Sequence, residues 1–509
     1  MIVYHTTKEG FMNDILSNDI DKRIDDAFYE RLGYHTSKNE IRSWKNSMMR
    51  IYAIITDQEI PMSAGITIEY QIPLSSNRID FIISGYNEEK QKKVIIIELK
   101  QWETAQKTPK DAIVKTRFQK GIAEVTHPSY QAFSYSSMLM CFNQNIQEGN
   151  MELLPCAYLH NYAPDNIITD SFYQEYIDKA PLFLKPDANK LKDFIKHHIK
   201  YGDNKEILYE IERSQLRPAK ELADCIDSML KGNPEFVMIN EQKVALENAL
   251  AIAHKCNKHK KQVLIIKGGP GTGKSVIAIR LLSILTNEGK VTKYVTKNAA
   301  PRDVYTTMLK GTTCKKVIDN LFASSGEYYN PKENEYDVLI VDEAHRLNAK
   351  SGIYGHLGEN QIMEIIKSAK ISIFFLDERQ RIHFKDIGTQ GNIEKWAKKL
   401  KASIAPFQQL KSQFRCNGSE GYLAWIDNTL QINDTANILL SEEDYDFQIF
   451  SDPNELRKKI EEKNKINNKS RMVAGYCWDW NSRKDDTKYD VVIPEFKFGM
   501  QWNRKEREP

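Results

Sequence analysis

The sequence predicts an α/β protein with two α/β modules in series, and three stretches predict it. Near the N-terminus three segments alternate or run apolar in the manner of strands: Ile66 to Ile72, Arg78 to Ile83 and Val94 to Lys100. In the middle, Val263-Leu264-Ile265-Ile266 feeds a glycine-rich turn, Gly268 to Gly273, and then the amphipathic run Val276 to Leu285. Further on, Val338-Leu339-Ile340-Val341 reads as a buried parallel strand that ends in Asp342-Glu343.

At 509 residues the chain is too long for one ordinary core. The expected division is a first module over 1–185, a helical connector over 186–230, a phosphate-loop lobe over 231–405 and a further partial lobe over 406–509. Hydrophobic residues at 41% and charged residues at 28% are ordinary for a globular protein. With 72 basic against 69 acidic residues the balance neither demands nor excludes a nucleic-acid partner. Seven cysteines without a C-x-x-C pair suggest neither a zinc site nor a disulfide framework, and fit a cytoplasmic location. No apolar run is long enough to span a membrane, so no membrane partner is expected.

Between Met1 and about Arg50 the pattern is helical, with Ser37-x-x-Glu40 in the form of a capping box. The strands follow, with Gly85 to Lys90 as the turn between the last two. Hairpin pairing brings Asp80 near Glu98, and Glu98 and Lys100 point to one face. A Glu-x-Lys closing an Ile-rich strand is costly unless it opens onto a polar site. Two carboxylates with the Leu99 carbonyl make an all-oxygen set suited to Mg²⁺ or Mn²⁺, and Lys100 could orient a water. The same residues also fit a solvated hairpin with ordinary edge charges.

Asp80, Glu98 and Lys100, followed by Gln131-x-x-x-Tyr135 in the stretch His127 to Tyr135, resemble the RecB-type branch of the PD-(D/E)XK nucleases. The resemblance implies a restriction-endonuclease-like α/β fold and a metal-dependent phosphodiester cleavage site. On a helix, Gln131 and Tyr135 share a face and could support that site together. The resemblance also implies a helix carboxylate; Glu40 is the candidate and Glu69 the second, although Glu40 equally fits a simple cap. His127 reads as a turn residue before a proline.

The stretch Gly268 to Ser275 is the phosphate-binding pattern G-x-x-x-x-G-K-[ST] in its strand–loop–helix setting. Gly268, Gly271 and Gly273 let backbone N–H groups close round an anion. Lys274 should reach the β/γ-phosphates of ATP and Ser275 should hold its Mg²⁺. Asp342 should hold the same ion from the opposite strand, with Glu343 as the base that orients the hydrolytic water. Gln380, just past the strand Ile371 to Leu376, is placed to sense the γ-phosphate, and Arg415 to reach it from a second lobe.

These motifs in this order resemble superfamily 1 helicases with RecA-like lobes, where a glutamine such as Gln242 reads the adenine edge. More closely, VTKNAAPR, DEAH, LDERQ, QFRCNGS and AGYCWDW resemble the Schlafen group 3-like DNA/RNA helicase domain. Only 94 residues follow Arg415, so the second lobe is expected to be incomplete. The resemblance implies an ATP-dependent nuclease–helicase-like protein acting on nucleic acid, with DNA favoured over RNA, in prokaryotic anti-phage defence or DNA processing. The alternative is an ATP-binding switch that binds nucleic acid or a protein partner, or assembles with its own copies, without processive unwinding.

Overall fold

The computed structural model describes residues 2–32, 35–36, 38–72, 77–118, 121–149, 151–214, 237–255, 260–299, 302–305, 321–352, 355–381, 383–411, 420–432, 446–468, 470–475, 477–483, 485 and 487–502. The chain divides into two compact units, 1–438 and 439–509. Among the described residues no helix is long and apolar enough to cross a membrane.

The first unit opens with β1 (Tyr4–Thr7), α1 (Lys8–Leu16), α2 (Ile20–Leu32) and α3 (Lys38–Ile55). The alternating segments become β2 (Gly65–Gln71), β3 (Arg78–Tyr86) and β4 (Lys92–Lys100), an antiparallel meander. A separate three-stranded sheet follows, β5 (Ala105–Lys107), β6 (Ile113–Phe118) and β7 (Gly121–Thr126). Then α4 (Pro128–Phe142) and α5 (Gln144–Glu148) lead to β8 (Met151–Leu159), which runs parallel to β4. After α6 (Gln174–Lys179), β9 (Leu182–Leu184) completes a six-stranded sheet in the order β1-β2-β3-β4-β8-β9.

Both faces of this sheet are covered, which is why β4 reads as an unbroken apolar run. Ile95, Ile97 and Leu99 pack with Phe11, Ile24, Trp44, Met48 and Ile51 on one side. Val94 and Ile96 pack with Tyr135, Met138 and Leu139 of α4 on the other. Residues 186–230, expected as a connector, do not form one where they are described. α7 (Ala188–His198) buries Leu191 and Ile195 in the first core, and α8 (Glu206–Glu212) buries Ile207, Leu208 and Ile211 in the second. Their apolar spacing is that of core-facing helices, so the first module extends at least to Glu212.

The phosphate-loop module begins at α9 (Asn240–His254), β10 (Gln262–Gly268) and α10 (Lys274–Asn287). It continues through β11 (Thr292–Thr296), β12 (Phe322–Ser324), β13 (Tyr336–Val341), α11 (Gln361–Ser368), β14 (Ala369–Leu376), α12 (Gln390–Lys399), β15 (Ser403–Ile404) and β16 (Gln408–Leu410). The sheet is parallel, in the order β12-β11-β13-β14-β10-β15, and β16 also pairs with β10. Residues 408–410, assigned from sequence to the second lobe, therefore complete this sheet, and Leu410 is buried in its core. Helix α13 (Glu420–Thr429) follows, tied back by Arg379 to Asp427 at 3.0 Å.

The second unit contains α14 (Pro453–Asn467) and the antiparallel pair β17 (Val491–Ile493) and β18 (Phe498–Met500). Val491, Phe498 and Trp502 are its small core, with Trp478 packed against them. Among the described residues no parallel sheet forms beyond Leu410.

The placement of α7 and α8 has a measurable consequence. Leu191→Ala and Ile207→Ala should each lower the unfolding free energy of the first unit by about 2–4 kcal/mol in denaturant titrations. Residues of a solvated connector would leave it unchanged.

Candidate functional site

The strand pairing that carries the first site stops where the carboxylates begin. β3 and β4 are in register through Phe81 and Ile97, and the next step of that register sets Asp80 opposite Glu98. There the Asp80 carboxylate replaces the ladder: its Oδ2 accepts from the Leu99 N–H at 2.7 Å. Glu98 is 1% exposed. Its Oε1 accepts from Lys100 Nζ at 2.5 Å and from Gln131 Nε2 at 2.7 Å. Its Oε2 is buried and takes no N–H or hydroxyl among the described residues, while the Glu98 and Asp80 carboxyls lie within hydrogen-bonding reach of each other when one is protonated.

Helix α4 delivers Gln131 because its start is fixed. Pro128 is its first residue, and the His127 ring caps it by accepting from the Ser129 N–H at 3.2 Å. The other ring nitrogen of His127 donates to the Ile168 carbonyl at 2.9 Å, and burial holds the ring neutral, its pKa pushed down to about 4. One turn on, the Tyr135 hydroxyl accepts from Gln131 Nε2 at 2.9 Å. The chain Tyr135–Gln131–Glu98 thus exists as the i, i+4 spacing suggested.

The two helix-carboxylate candidates stand apart from this pair. Glu40 is ion-paired to Arg78 and accepts from the Thr36 hydroxyl at 2.6 Å. Glu69 is more buried; it accepts from Trp44 Nε1 at 2.6 Å and pairs with Arg78 Nε at 3.1 Å. The strand is broken at Glu69, whose φ is +56°, a region L-residues seldom occupy. Ile66 and Ile68 face the first core, whereas Tyr70 and Ile72 face the second. A regular strand would keep all four on one face. The switch sits beside Asp80 and turns the Glu69 carboxylate toward α3.

Together these residues line a cavity of about 320 Å³ with Ser43, Asn77 and Asn240. Burial raises the carboxyl pKa values of Asp80, Glu98 and Glu69, those of Glu98 and Glu69 to about 8. For Glu98 the charge of Asp80 raises it further. Lys100 is raised too: burial opposes its charge, but the charges of Glu98 and Asp80 outweigh that. A divalent cation would relieve this cluster, and the donors fit one: two carboxylates, an orphaned Glu98 oxygen and the adjacent Leu99 carbonyl. Among the described residues no three His, Cys, Asp or Glu side chains converge on a metal-sized site, so remaining positions would fall to the backbone and water.

The second site lies at the C-terminal end of β10. Gly271 and Gly273 have φ of +75° and +84°, which let the loop close before α10. Lys274 Nζ donates to the carbonyls of Gly268 at 2.9 Å and Gly269 at 2.7 Å. Ser275 and Asp342 meet as expected, Oγ to Oδ2 at 2.6 Å. The Tyr294 hydroxyl donates to the same Asp342 oxygen at 2.6 Å, a contact that nothing in the spacing of β11 announced. Burial raises the Asp342 pKa against these two bonds.

Glu343 adopts φ of +53°, and its carboxylate lies 3.0 Å from His345 Nε2. Gln380 falls in the short turn after β14. Arg415 and the whole QFRCNGS stretch lie outside the described residues. Gln242 lies against the phosphate loop, where its Nε2 donates to the Thr272 carbonyl at 3.0 Å. A side chain at Gly273 would collide with it at 2.2 Å. The amide is thus a brace of the loop, set there because α9 begins directly beneath it.

Strand β10, its glycine loop, α10 and the Asp342-bearing β13 define a P-loop nucleotide-binding module. Residues 261–509, just under half of the chain, match the family model described as Schlafen group 3, DNA/RNA helicase domain, so this part is helicase-like. None of the curated proteins matches the chain. Among solved structures it is similar to a DNA replication initiation factor at 14% identity, over 44% of this chain and 61% of that one, with a TM-score of 0.21. It is also similar to domain III of the Thermotoga maritima replication initiation protein DnaA at 15% identity, over 46% and 88%, with a TM-score of 0.22. Likeness at that level carries no conclusion about this chain.

The raised carboxyls make stability depend on pH with a definite sign. Glu98 and Glu69 ionise near 4.5 when unfolded and about 8 when folded, so stability present below 4.5 is lost as pH rises through about 8. In chelator, the melting temperature should fall by on the order of 5 °C between about pH 5 and pH 8, and Glu98→Gln should flatten the slope. Mn²⁺ should raise it more at the higher pH. A flat profile would contradict the burial of this pair.

Proposed function

We propose that this protein is an ATP-dependent nuclease: Asp80, Glu98 and Lys100 cut a phosphodiester in nucleic acid, DNA in the first instance, and the P-loop module gates or drives the cutting. The observation that carries the reading is the buried Asp80–Glu98 pair with its unpaired Glu98 oxygen, tied to Lys100 at a strand end that opens into a cavity. A meander followed by a helix and a parallel strand, with these residues at the break, supports the PD-(D/E)XK resemblance.

Asp80, Glu98 and the Leu99 carbonyl would hold Mg²⁺ or Mn²⁺, which supplies Lewis-acid activation of water and charge stabilisation at the phosphate. Lys100, held protonated by Glu98, presents a cation to the phosphate or to the attacking water. Gln131 fixes the orientation of Glu98, and Tyr135 fixes Gln131. At the other site, Lys274 would bind the ATP phosphates, Ser275 and Asp342 would hold the Mg²⁺, and Glu343 would orient water for hydrolysis.

A second reading is a nucleotide switch with little unwinding. It is favoured by the lack of any parallel sheet among the described residues beyond Leu410.

A cleavage panel of single-stranded DNA, duplex DNA and RNA, with Mg²⁺ and with or without ATP, tests both. Asp80→Ala and Glu98→Ala should each lower cutting by a factor on the order of 10³ or more and leave ATP hydrolysis intact. Lys274→Ala should abolish ATP hydrolysis. Cutting that survives at both carboxylates would remove the nuclease assignment, and robust ATP-driven strand displacement would remove the switch.

A further inference from the structure

Between the two sites runs one short stretch, residues 238–243, and five of its six side chains reach different parts of the molecule. Met238 is buried in the core of the P-loop module, whereas the next residue, Ile239, is buried in the core behind the carboxylate site. Asn240, the first residue of α9, has a φ of +23°, an uncommon and strained value at a helix start. Its Nδ2 donates to the Tyr135 hydroxyl at 2.7 Å and to Asn77 Oδ1 at 3.1 Å. Its Oδ1 accepts from the Thr126 hydroxyl at 3.2 Å. Two residues on, Gln242 braces Thr272 of the phosphate loop, and Lys243 pairs with Asp111 of the first module at 2.7 Å.

We propose that this stretch links the two sites: Asn240 is a positioning residue of the carboxylate site, and Gln242 reports the state of the phosphate loop to it. The path is continuous. It runs from Thr272 to Gln242, along the first turn of α9 to Asn240, then through Tyr135 and Gln131 to Glu98. A triphosphate competes for the Lys274 ammonium, which here holds the carbonyls of Gly268 and Gly269. Releasing those carbonyls re-forms the loop that contains Thr272, and the Gln242 brace must follow. Gln242 is 2% exposed and its Oε1 is buried without a partner among the described residues, so a new donor from the rearranged loop has an acceptor waiting. Because Met238 and Ile239 anchor opposite sides, a shift of the first turn of α9 cannot leave Asn240 where it was.

The link rests on both site assignments, but linkage is reciprocal, so it can be read without any cleavage. A change at the carboxylate end must alter nucleotide affinity by the same factor as nucleotide alters that end. Fluorescent ATP-analogue titrations in Mg²⁺ would compare the full-length chain with Asn240→Ala and Tyr135→Phe. Tyr135→Phe removes one oxygen from a residue that does not touch the phosphate loop, and it carries the test should Asn240→Ala fail to fold. Both variants should shift the dissociation constant by about fivefold or more, in the same direction. Folded variants that bind within about twofold of the parent overturn the link. Cleavage adds an independent arm. If the parent cuts at a rate that depends on nucleotide, Asn240→Ala should cut at a rate that does not, and retained dependence overturns the link. If the parent cuts no substrate, the nuclease assignment fails while the nucleotide titration still decides the link.

Discussion

Two carboxylates buried side by side at the break between β3 and β4 are the constraint on which the first module turns. Left to themselves, Asp80 and Glu98 would repel, and burial makes each charge costly. The surroundings answer this unevenly. Asp80 takes the Leu99 N–H, and Glu98 takes Lys100 and Gln131 on one oxygen, while its other oxygen takes no N–H or hydroxyl among the described residues and the two carboxyls can share only a proton between them. The strained Glu69, Arg78 and Trp44 form a second polar cluster beside them, which keeps the cavity wall charged and rigid. Such a cluster is stable only with a compensating cation or with protons, and that choice is what makes it chemically useful.

The P-loop module uses the same elementary devices for a different end. Two of its glycines adopt positive φ so that the backbone can approach an anion, and its Asp342 carboxylate is buried but fully satisfied, by Ser275 and Tyr294 on one oxygen and the Glu343 N–H on the other. The contrast with Glu98 is physical. Asp342 has donors on both of its oxygens, whereas one Glu98 oxygen takes no N–H or hydroxyl among the described residues. The residues leading into helix α9 join the two, with Met238 in the core of one module and Ile239 in the core of the other.

Much of this was legible in the sequence because local patterns carried it. The meander, the opposition of Asp80 to Glu98, the pairing of Gln131 with Tyr135 on one helix face, and the Ser275–Asp342 contact all follow from strand alternation, helix spacing or a loop motif. What was not legible depends on tertiary placement. No spacing rule puts a left-handed residue at Glu69 or turns its carboxylate toward Trp44. Glu40 matched a capping pattern, but Arg78 claims it. No motif spacing announces that Gln242 donates to the phosphate loop, because that contact depends on where α9 begins relative to the loop. The stretch around α7 and α8 looked like a connector because its lysines and aspartates dominate the composition, while the few apolar residues that seat those helices are spaced for burial. β16 looked like the start of another lobe, yet three residues suffice to extend a parallel sheet.

The proposed nuclease site depends most on Asp80 and Glu98 holding a divalent cation, and anomalous diffraction from crystals soaked in Mn²⁺ tests that directly. The expected result is a manganese peak bounded by the carboxylates of Asp80 and Glu98 and the Leu99 carbonyl, lost in Glu98→Gln. Crystals that show manganese only beside Ser275 and Asp342, or none in the cavity at any Mn²⁺ concentration, would contradict it.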